Sequence, residues 1–182
     1  MCFYKLSLQL LFVFVVILFP VSEASYNYVN FEAKKKDIIK EIDLTIPKRD
    51  TITYTQVPRG IILSVAQFEF FNEYNFILSK NGESLLDGIA KLLKTFDNSC
   101  TIEVHTEENI LRNPNVADKD WEYSVVRSNV IADYLVKIAG VKTSQVFPIG
   151  FGNIMPFKDN VSKKDFYNNR IDFVIFDYSV SR

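Results

Sequence analysis

The stretch from Thr101 to Leu135 constrains the fold more than any other part of this 182-residue chain. Its first six residues, Thr101–Thr106, are rich in β-branched side chains, as in a short buried strand. After a long polar loop, Asp120 stands where the N-cap of a helix is expected, just before Trp121. Apolar or small residues then recur at alternating spacings of four and three, the repeat of one helical face: Trp121, Val125, Ser128, Ala132, Leu135 and Ala139. The stretch predicts a strand, a long loop and a helix that buries this face.

The polar residues of the same helix fall on another face. Asp120, Tyr123, Ser124 and Arg127 share it, and Arg127 is expected almost above Asp120, because seven residues make about two helical turns. Glu107, at the end of the strand, would arrive beside the start of the helix. An acidic and a basic side chain would then line one groove, which suits a ligand that carries both charges.

The remaining apolar segments predict an α+β fold. Alternation over 50–65 with a turn at Pro58 predicts a hairpin, and we interpret Phe68, Phe70 and Phe71 after it as core. A helix beginning at Ser79 or Asn81 is predicted, with strands at Gln145–Phe151 and Arg170–Tyr178 and a helical turn at Lys163–Asn168. Right-handed strand–helix–strand units give a β-α-β-α-β-β sandwich, a mixed sheet with helices packed on one face.

The N-terminus reads as an export signal. Residues 1–24 combine Lys5, the apolar run Leu6–Phe19, and Ser22 and Ala24 at a small-x-small cleavage site. The run is short for a membrane span, which needs about 20 residues, although an uncleaved anchor is the alternative. We expect a linker or short helix over residues 25–49, a domain over 50–178 and a tail over 179–182.

Composition excludes several functions. A net charge of −1 gives no basic field for nucleic acid. Cys100 would remain alone after removal of Cys2 with the signal, so no internal disulfide is expected, and we interpret Cys100 as a small buried hydrophobe. His105 is the only histidine, and with no cysteine cluster we expect no metal and no cofactor.

Several short motifs resemble those of OmpA-like (OmpA C-terminal, MotB-type) peptidoglycan-binding domains. His105-Thr106-Glu107 and the run from Asp120 to Ser128, DWEYSVVRS, are similar to the signature G-H-T-D … N-W-x-L-S-x-x-R-A. The other family motifs follow in order over roughly residues 50–178: Arg59–Leu63 with Phe70-Phe71, Gly150-Phe151-Gly152 with Pro156, and Asn168–Ile171, which resembles N-R-R-V.

The resemblance implies a ligand and its contacts. The ligand would be the diaminopimelate end of the peptidoglycan stem peptide, with Glu107 pairing its ammonium and Arg127 taking its carboxylate in two hydrogen bonds. The implied site also includes Thr106, Asp120, Tyr123, Ser124 and Arg170. The chain departs from the family pattern at four places: Val104 for Gly, Glu107 for Asp, Asp120 for Asn, and Asn169 for the first Arg of N-R-R. Val104 adds bulk beside the groove, the longer Glu107 would shift the ammonium, and the negative charge of Asp120 near the ligand carboxylate should weaken binding.

We therefore expect a periplasmic, non-enzymatic protein that tethers an envelope protein or complex to the cell wall, with a homodimer left open. The alternative is a membrane-anchored stator-like or secretion-machine subunit whose domain has lost or changed its ligand. A triad of Ser124, His105 and Asp120 is disfavoured, because nothing resembles a nucleophile elbow. Arg127 could instead simply pair with Asp120 or Glu107, and His105 could be structural.

Overall fold

The computed structural model describes residues 34–72, 75–106, 120–155 and 168–177. The chain divides into two units, Met1–Asp37 and Ile38–Arg182, and of the first only the start of a helix is described. The predicted signal, Glu107, the turn at 163–167 and the tail lie outside the described residues. Within the described ranges, no helix is both long and apolar enough to cross a membrane.

The second unit is built on a five-stranded sheet with the spatial order β1-β2-β5-β3-β4. All neighbouring strands are antiparallel except β3 and β4, which are parallel. The mixed sheet confirms the predicted α+β fold and the hairpin, and it puts the last strand at the centre. The strands are β1 Ile52–Val57, β2 Gly60–Ala66, β3 Cys100–His105, β4 Val146–Gly152 and β5 Arg170–Phe176.

In the described ranges three α-helices accompany the sheet: α1 at 34–45, α2 at Lys80–Phe96 and α3 at Asp120–Asp133, which continues as a wider π-helical turn. Helix α2 begins where the sequence predicts, because the Ser79 side chain accepts a hydrogen bond from the Gly82 amide at 2.9 Å. It ends at Asp97, whose left-handed backbone (φ 54°) stops the helix.

One face of the sheet carries the core. The register aligns Ile171, Phe173 and Ile175 of β5 with apolar residues of β2 and β3, and these pack with the apolar stripe of α2. Cys100 is also fully buried there, and burial raises the pKa of its thiol. Cys100 therefore behaves as the small hydrophobe that the sequence suggests.

Helix α1 belongs to this core. Ile38, Ile42 and Ile46 recur every four residues and are almost fully buried in it. The packed unit therefore starts at Ile38, whereas the sequence placed the domain boundary at 50 and read the preceding segment as a linker or short helix.

Two aromatic residues assigned to the core are exposed, so those assignments were wrong. The side chain of Phe68 is 58% exposed and that of Trp121 is 56% exposed. Phe68 lies in the short 3-10 turn Gln67–Glu69, which buries its two polar neighbours and turns Phe68 outward. Trp121 is exposed because the buried face of helix α3 is shifted toward Ser124 and Arg127, although Ser128 and Leu135 of the predicted face are buried.

Replacing Ile42 by Ala tests whether α1 is part of the folded unit. Loss of a fully buried isoleucine should lower the free energy of unfolding by about 2–5 kcal/mol. The matched control is Leu44→Ala on the same helix, where the side chain is 73% exposed and the change should stay within about 0.5 kcal/mol. Urea unfolding of the full chain measures both, and equal effects would mean that α1 does not contribute to the core.

Candidate functional site

The face of helix α3 that was predicted to line an open groove is buried. Tyr123, Ser124 and Arg127 are all almost inaccessible to solvent, and Ile131 continues the same face one turn later. The polar residues are buried because each finds partners contributed by distant parts of the chain. The helix therefore presents its charged and hydroxyl groups to the domain interior at one end of the sheet.

The Arg127 guanidinium lies between two aromatic rings. Its Cζ is 4.5 Å from the centre of the Phe71 ring and 4.3 Å from that of Tyr123, which are cation–π distances. Nε donates to the carbonyl of Asn75 at 3.2 Å, and Nη2 donates to the carbonyls of Asn72 (3.2 Å) and Asn75 (3.0 Å). Nη1 donates to the side-chain oxygen of Gln67.

These partners of Arg127 are all neutral. No carboxylate in the described ranges forms an ion pair with Arg127, which is only 3% exposed. Burial lowers its pKa to about 10, opposed in part by Tyr123, so the side chain still carries a full charge at neutral pH. Because a buried charge without a counter-ion is unfavourable, this position is electrostatically suited to an anion.

Gln67 is a site residue that the sequence analysis missed. Its side-chain amide accepts from Arg127 and donates from Nε2 to the carbonyl of His105 at 2.5 Å. It is 3% exposed and therefore connects helix α3 to the end of strand β3. The only signal in the sequence was a polar residue between Ala66 and the aromatic residues that follow.

Ser124 fixes the start of helix α3 to the end of strand β4. Its hydroxyl donates to the carbonyl of Trp121 at 2.7 Å and accepts from the amide of Gly152 at 2.9 Å. A side chain at Gly150 would place its Cβ 2.4 Å from the amide nitrogen of Val125. The two glycines of the Gly150-Phe151-Gly152 motif thus allow helix and strand backbones to approach closely.

A second charged cluster lies on the β3–β5 pair. His105 stacks on Phe151 with ring centres 5.0 Å apart, and its Nε2 is 3.4 Å from Asp172 Oδ2. Arg170 donates from Nε to the same oxygen at 2.9 Å and contacts the carbonyl of Met155 at 3.5 Å. Arg170 therefore forms an ion pair with Asp172.

The structure brings most of the proposed site residues to the same end of the sheet. Thr106 follows β3, and its amide donates to the carbonyl of Gly152 at 2.8 Å. Gly152 is thus bonded both to Thr106 and to Ser124. Asp120 begins helix α3, but its side chain is not described, and Glu107 lies outside the described residues.

Comparison with known proteins gives one family and several similar folds. The model of the OmpA family matches residues 70–170. An uncharacterized Bacillus subtilis protein, YtxE, is 24% identical over 79% of this chain, which spans 61% of that protein's length. A MotB-like protein from Desulfovibrio vulgaris has the same fold (TM-score 0.70, 19% identity, 83% of this chain and 98% of that one).

Two further solved structures share the fold. One is the cell wall anchor of the T6SS from Pseudomonas aeruginosa (TM-score 0.65, 17% identity, 76% and 96% coverage of the two chains). The other is the periplasmic domain of Helicobacter pylori MotB (TM-score 0.61, 18% identity, 72% and 83% coverage).

Replacing Gly150 by Ala should separate helix α3 from strand β4. The added methyl group would overlap backbone atoms that cannot move independently, so we expect the free energy of unfolding to fall by about 3 kcal/mol or more. The control is Gly140→Ala, which has a positive φ of 73° but no atom within 4 Å and should lose only about 1 kcal/mol. Thermal unfolding compares the two, and equal losses would contradict the close approach.

The stability of the protein should depend on the ionisation of Asp172. Burial alone would raise the pKa of this carboxyl, but hydrogen bonds from His105 and Ser64 and the charge of Arg170 outweigh burial and lower the pKa. The ionised carboxylate therefore stabilises the fold at pH values above about 4, the pKa of an aspartate in the unfolded chain. This contribution is lost as the pH falls through the lowered pKa of Asp172 in the folded protein.

We expect Asp172→Asn to be less stable than the wild type at pH 7 and to lose less stability on acidification from pH 5 to 2. Asp133→Asn, which breaks an exposed pair with Lys137, should follow the wild-type acid profile closely. Urea unfolding across this pH range measures the difference. If Asp172→Asn lost as much stability on acidification as the wild type, Asp172 would not be the source of this pH dependence.

Proposed function

The chain belongs to the OmpA family, which confirms the resemblance of its motifs, and from this premise we propose that it binds peptidoglycan without catalysing a reaction. The bound group would be the diaminopimelate end of the stem peptide, which carries an ammonium and a carboxylate on one carbon. Glu107 would pair the ammonium, and Arg127 would take the carboxylate. The proposal places the protein in the periplasm, where it tethers an envelope protein or complex to the wall.

The observation that carries the proposal is the buried, charged guanidinium of Arg127, which forms no ion pair with any carboxylate that the structure describes. Its hydrogen bonds to the carbonyls of Asn72 and Asn75 are bonds to neutral acceptors. A bond to a carboxylate is charge-assisted and roughly twice as strong. A ligand carboxylate that displaces one of these carbonyls would therefore gain hydrogen-bond energy and also supply the missing counter-charge.

The surroundings of Arg127 favour the same kind of ligand. The N-terminus of helix α3 carries a partial positive charge that attracts anions. Tyr123 packs against Phe76 with ring centres 5.1 Å apart, and so provides an apolar wall beside the guanidinium. Thr106, Ser124 and Arg170 would hold the ends of strands and helix in place around the ligand, while Asp120 would lie at the helix start.

The similar folds support a role as a wall tether. They include the periplasmic domain of a MotB protein and a cell wall anchor of a secretion system. The first is a periplasmic domain and the second is an anchor to the cell wall, so both belong to the bacterial envelope. A predicted export signal at residues 1–24 agrees with a periplasmic location for this chain.

Replacing Arg127 by Met tests the proposal, because methionine keeps apolar bulk between the two rings but removes the charge. Full-length wild-type protein should co-sediment with diaminopimelate-containing sacculi, and Arg127→Met should bind at least tenfold more weakly. Lys142→Met is the control, since Lys142 forms an exposed ion pair with Asp97 away from the candidate site and its loss should not affect binding. Circular dichroism of each variant checks that the fold is retained.

Three further outcomes decide between the functional readings. Binding to lysine-type sacculi as strong as to the diaminopimelate type would argue against recognition of the diaminopimelate end. Equal binding of the wild type and Arg127→Met would remove Arg127 from the site. Absence of binding by the folded wild type would favour the alternative of a subunit whose domain has lost or changed its ligand.

A further inference from the structure

Strand β1 forms one edge of the sheet. It is the outermost of the five strands, and β2 is its only strand partner among the described residues. Four consecutive side chains, from Thr53 to Gln56, are exposed to solvent. The strand reads ITYTQV and contains no charged residue and no proline. Proteins normally protect edge strands with lysine, proline or a covering segment, so an open, neutral edge indicates a surface that pairs with another strand.

The hydrogen-bond pattern shows which backbone groups face the open edge. The amide of Ala66 donates to the carbonyl of Thr51, directly opposite, at 2.9 Å. Hydrogen-bonded and non-hydrogen-bonded pairs alternate along an antiparallel ladder, so Thr53 and Thr55 bond to β2. The N–H and C=O groups of Tyr54 and Gln56 therefore point away from β2, toward the open edge.

From this edge we propose that β1 pairs with β1 of a second copy, antiparallel and about a two-fold axis at Thr55. In this register Tyr54 of each copy lies opposite Gln56 of the other, and the outward N–H and C=O groups of all four residues bond to each other. A two-fold axis is the commonest symmetry of protein oligomers, and the same surface patch then contacts itself. The two sheets would join into one of ten strands.

Charge and side chains favour a second copy as the occupant. A charged strand would place like charges opposite each other across a two-fold axis, whereas β1 places two threonines there, a favourable cross-strand pair. The residues that flank the strand carry opposite charges, Asp50 before it and Arg59 after it. Antiparallel pairing brings the Arg59 end of each copy to the Asp50 end of the other. The proposal is independent of wall binding.

A cysteine at position 55 tests the register directly. Non-hydrogen-bonded partners have Cα atoms about 4.5 Å apart, within the range of a disulfide. Full-length Thr55→Cys, with Cys2 changed to Ser and Cys100 buried, should therefore form a disulfide-linked dimer under mild oxidation. Thr53→Cys is the matched control on the same face. In the proposed register the two copies of residue 53 are four residues apart along the strands, about 13 Å, and should not cross-link. Equal cross-linking of the two variants would overturn the proposal.

Lysine substitutions give an independent measurement by sedimentation velocity of the full chain in mild detergent. The wild type should sediment with twice the mass of one chain. Thr55→Lys should be a monomer, because it places two like charges on the axis, while Thr53→Lys should remain a dimer with an unchanged unfolding temperature. A monomeric wild type at 100 μM, or a dimer that survives Thr55→Lys, would show that the β1 edge is not the interface.

Discussion

The burial of the Arg127 guanidinium is the interaction on which the candidate site depends. It gathers the Phe71 ring, the Gln67 side chain and the carbonyls of Asn72 and Asn75 around one side chain of helix α3. Removing a guanidinium from water is costly, and only several well-oriented hydrogen bonds offset that cost. The segment after β2 and the first turns of α3 therefore hold each other in position. Any ligand that exchanges for one of these carbonyls must also shift this segment.

Close backbone packing complements this polar anchor. Gly150 lets helix α3 rest on strand β4 without an intervening side chain, and Ser124 then bonds both to the helix and to Gly152. Thr106 bonds to the same glycine. The C-terminal ends of strands β3 and β4 and the start of helix α3 are thus joined by hydrogen bonds and close backbone packing. A geometry fixed in this way is the preorganisation that a binding site needs. Glycine is therefore needed at position 150 of the Gly150-Phe151-Gly152 motif because a side chain there would overlap helix α3.

Sequence patterns predicted the fold well where local burial follows hydrophobicity. Helix α2 has an unbroken apolar stripe and a serine cap, and strand β5 has a dense apolar run, so both could be read from neighbouring residues. Helix α3 was also predicted, but its buried face was not, because that face includes Ser124 and Arg127, whose partners lie far away in sequence. Gln67 is 60 residues from Arg127, and only the tertiary fold satisfies both. Periodicity counted those polar residues as surface and assigned Trp121 to the core.

The family signature indicated the same candidate site in spite of that error, because the signature depends on the order of motifs and not on which face is buried. The signature could not show that the Arg127 side chain is hydrogen-bonded to protein carbonyls and does not face an open groove.

Two copies of a site of this kind would together bind a ligand more strongly than one. Pairing along β1 would place two sites at opposite ends of one continuous sheet, since the Gln67 end of each copy lies beside Thr51. The wall offers many repeated stem peptides, so a second contact would form at high effective concentration. A pair of individually weak sites, each requiring exchange of an internal hydrogen bond, could then hold the wall firmly.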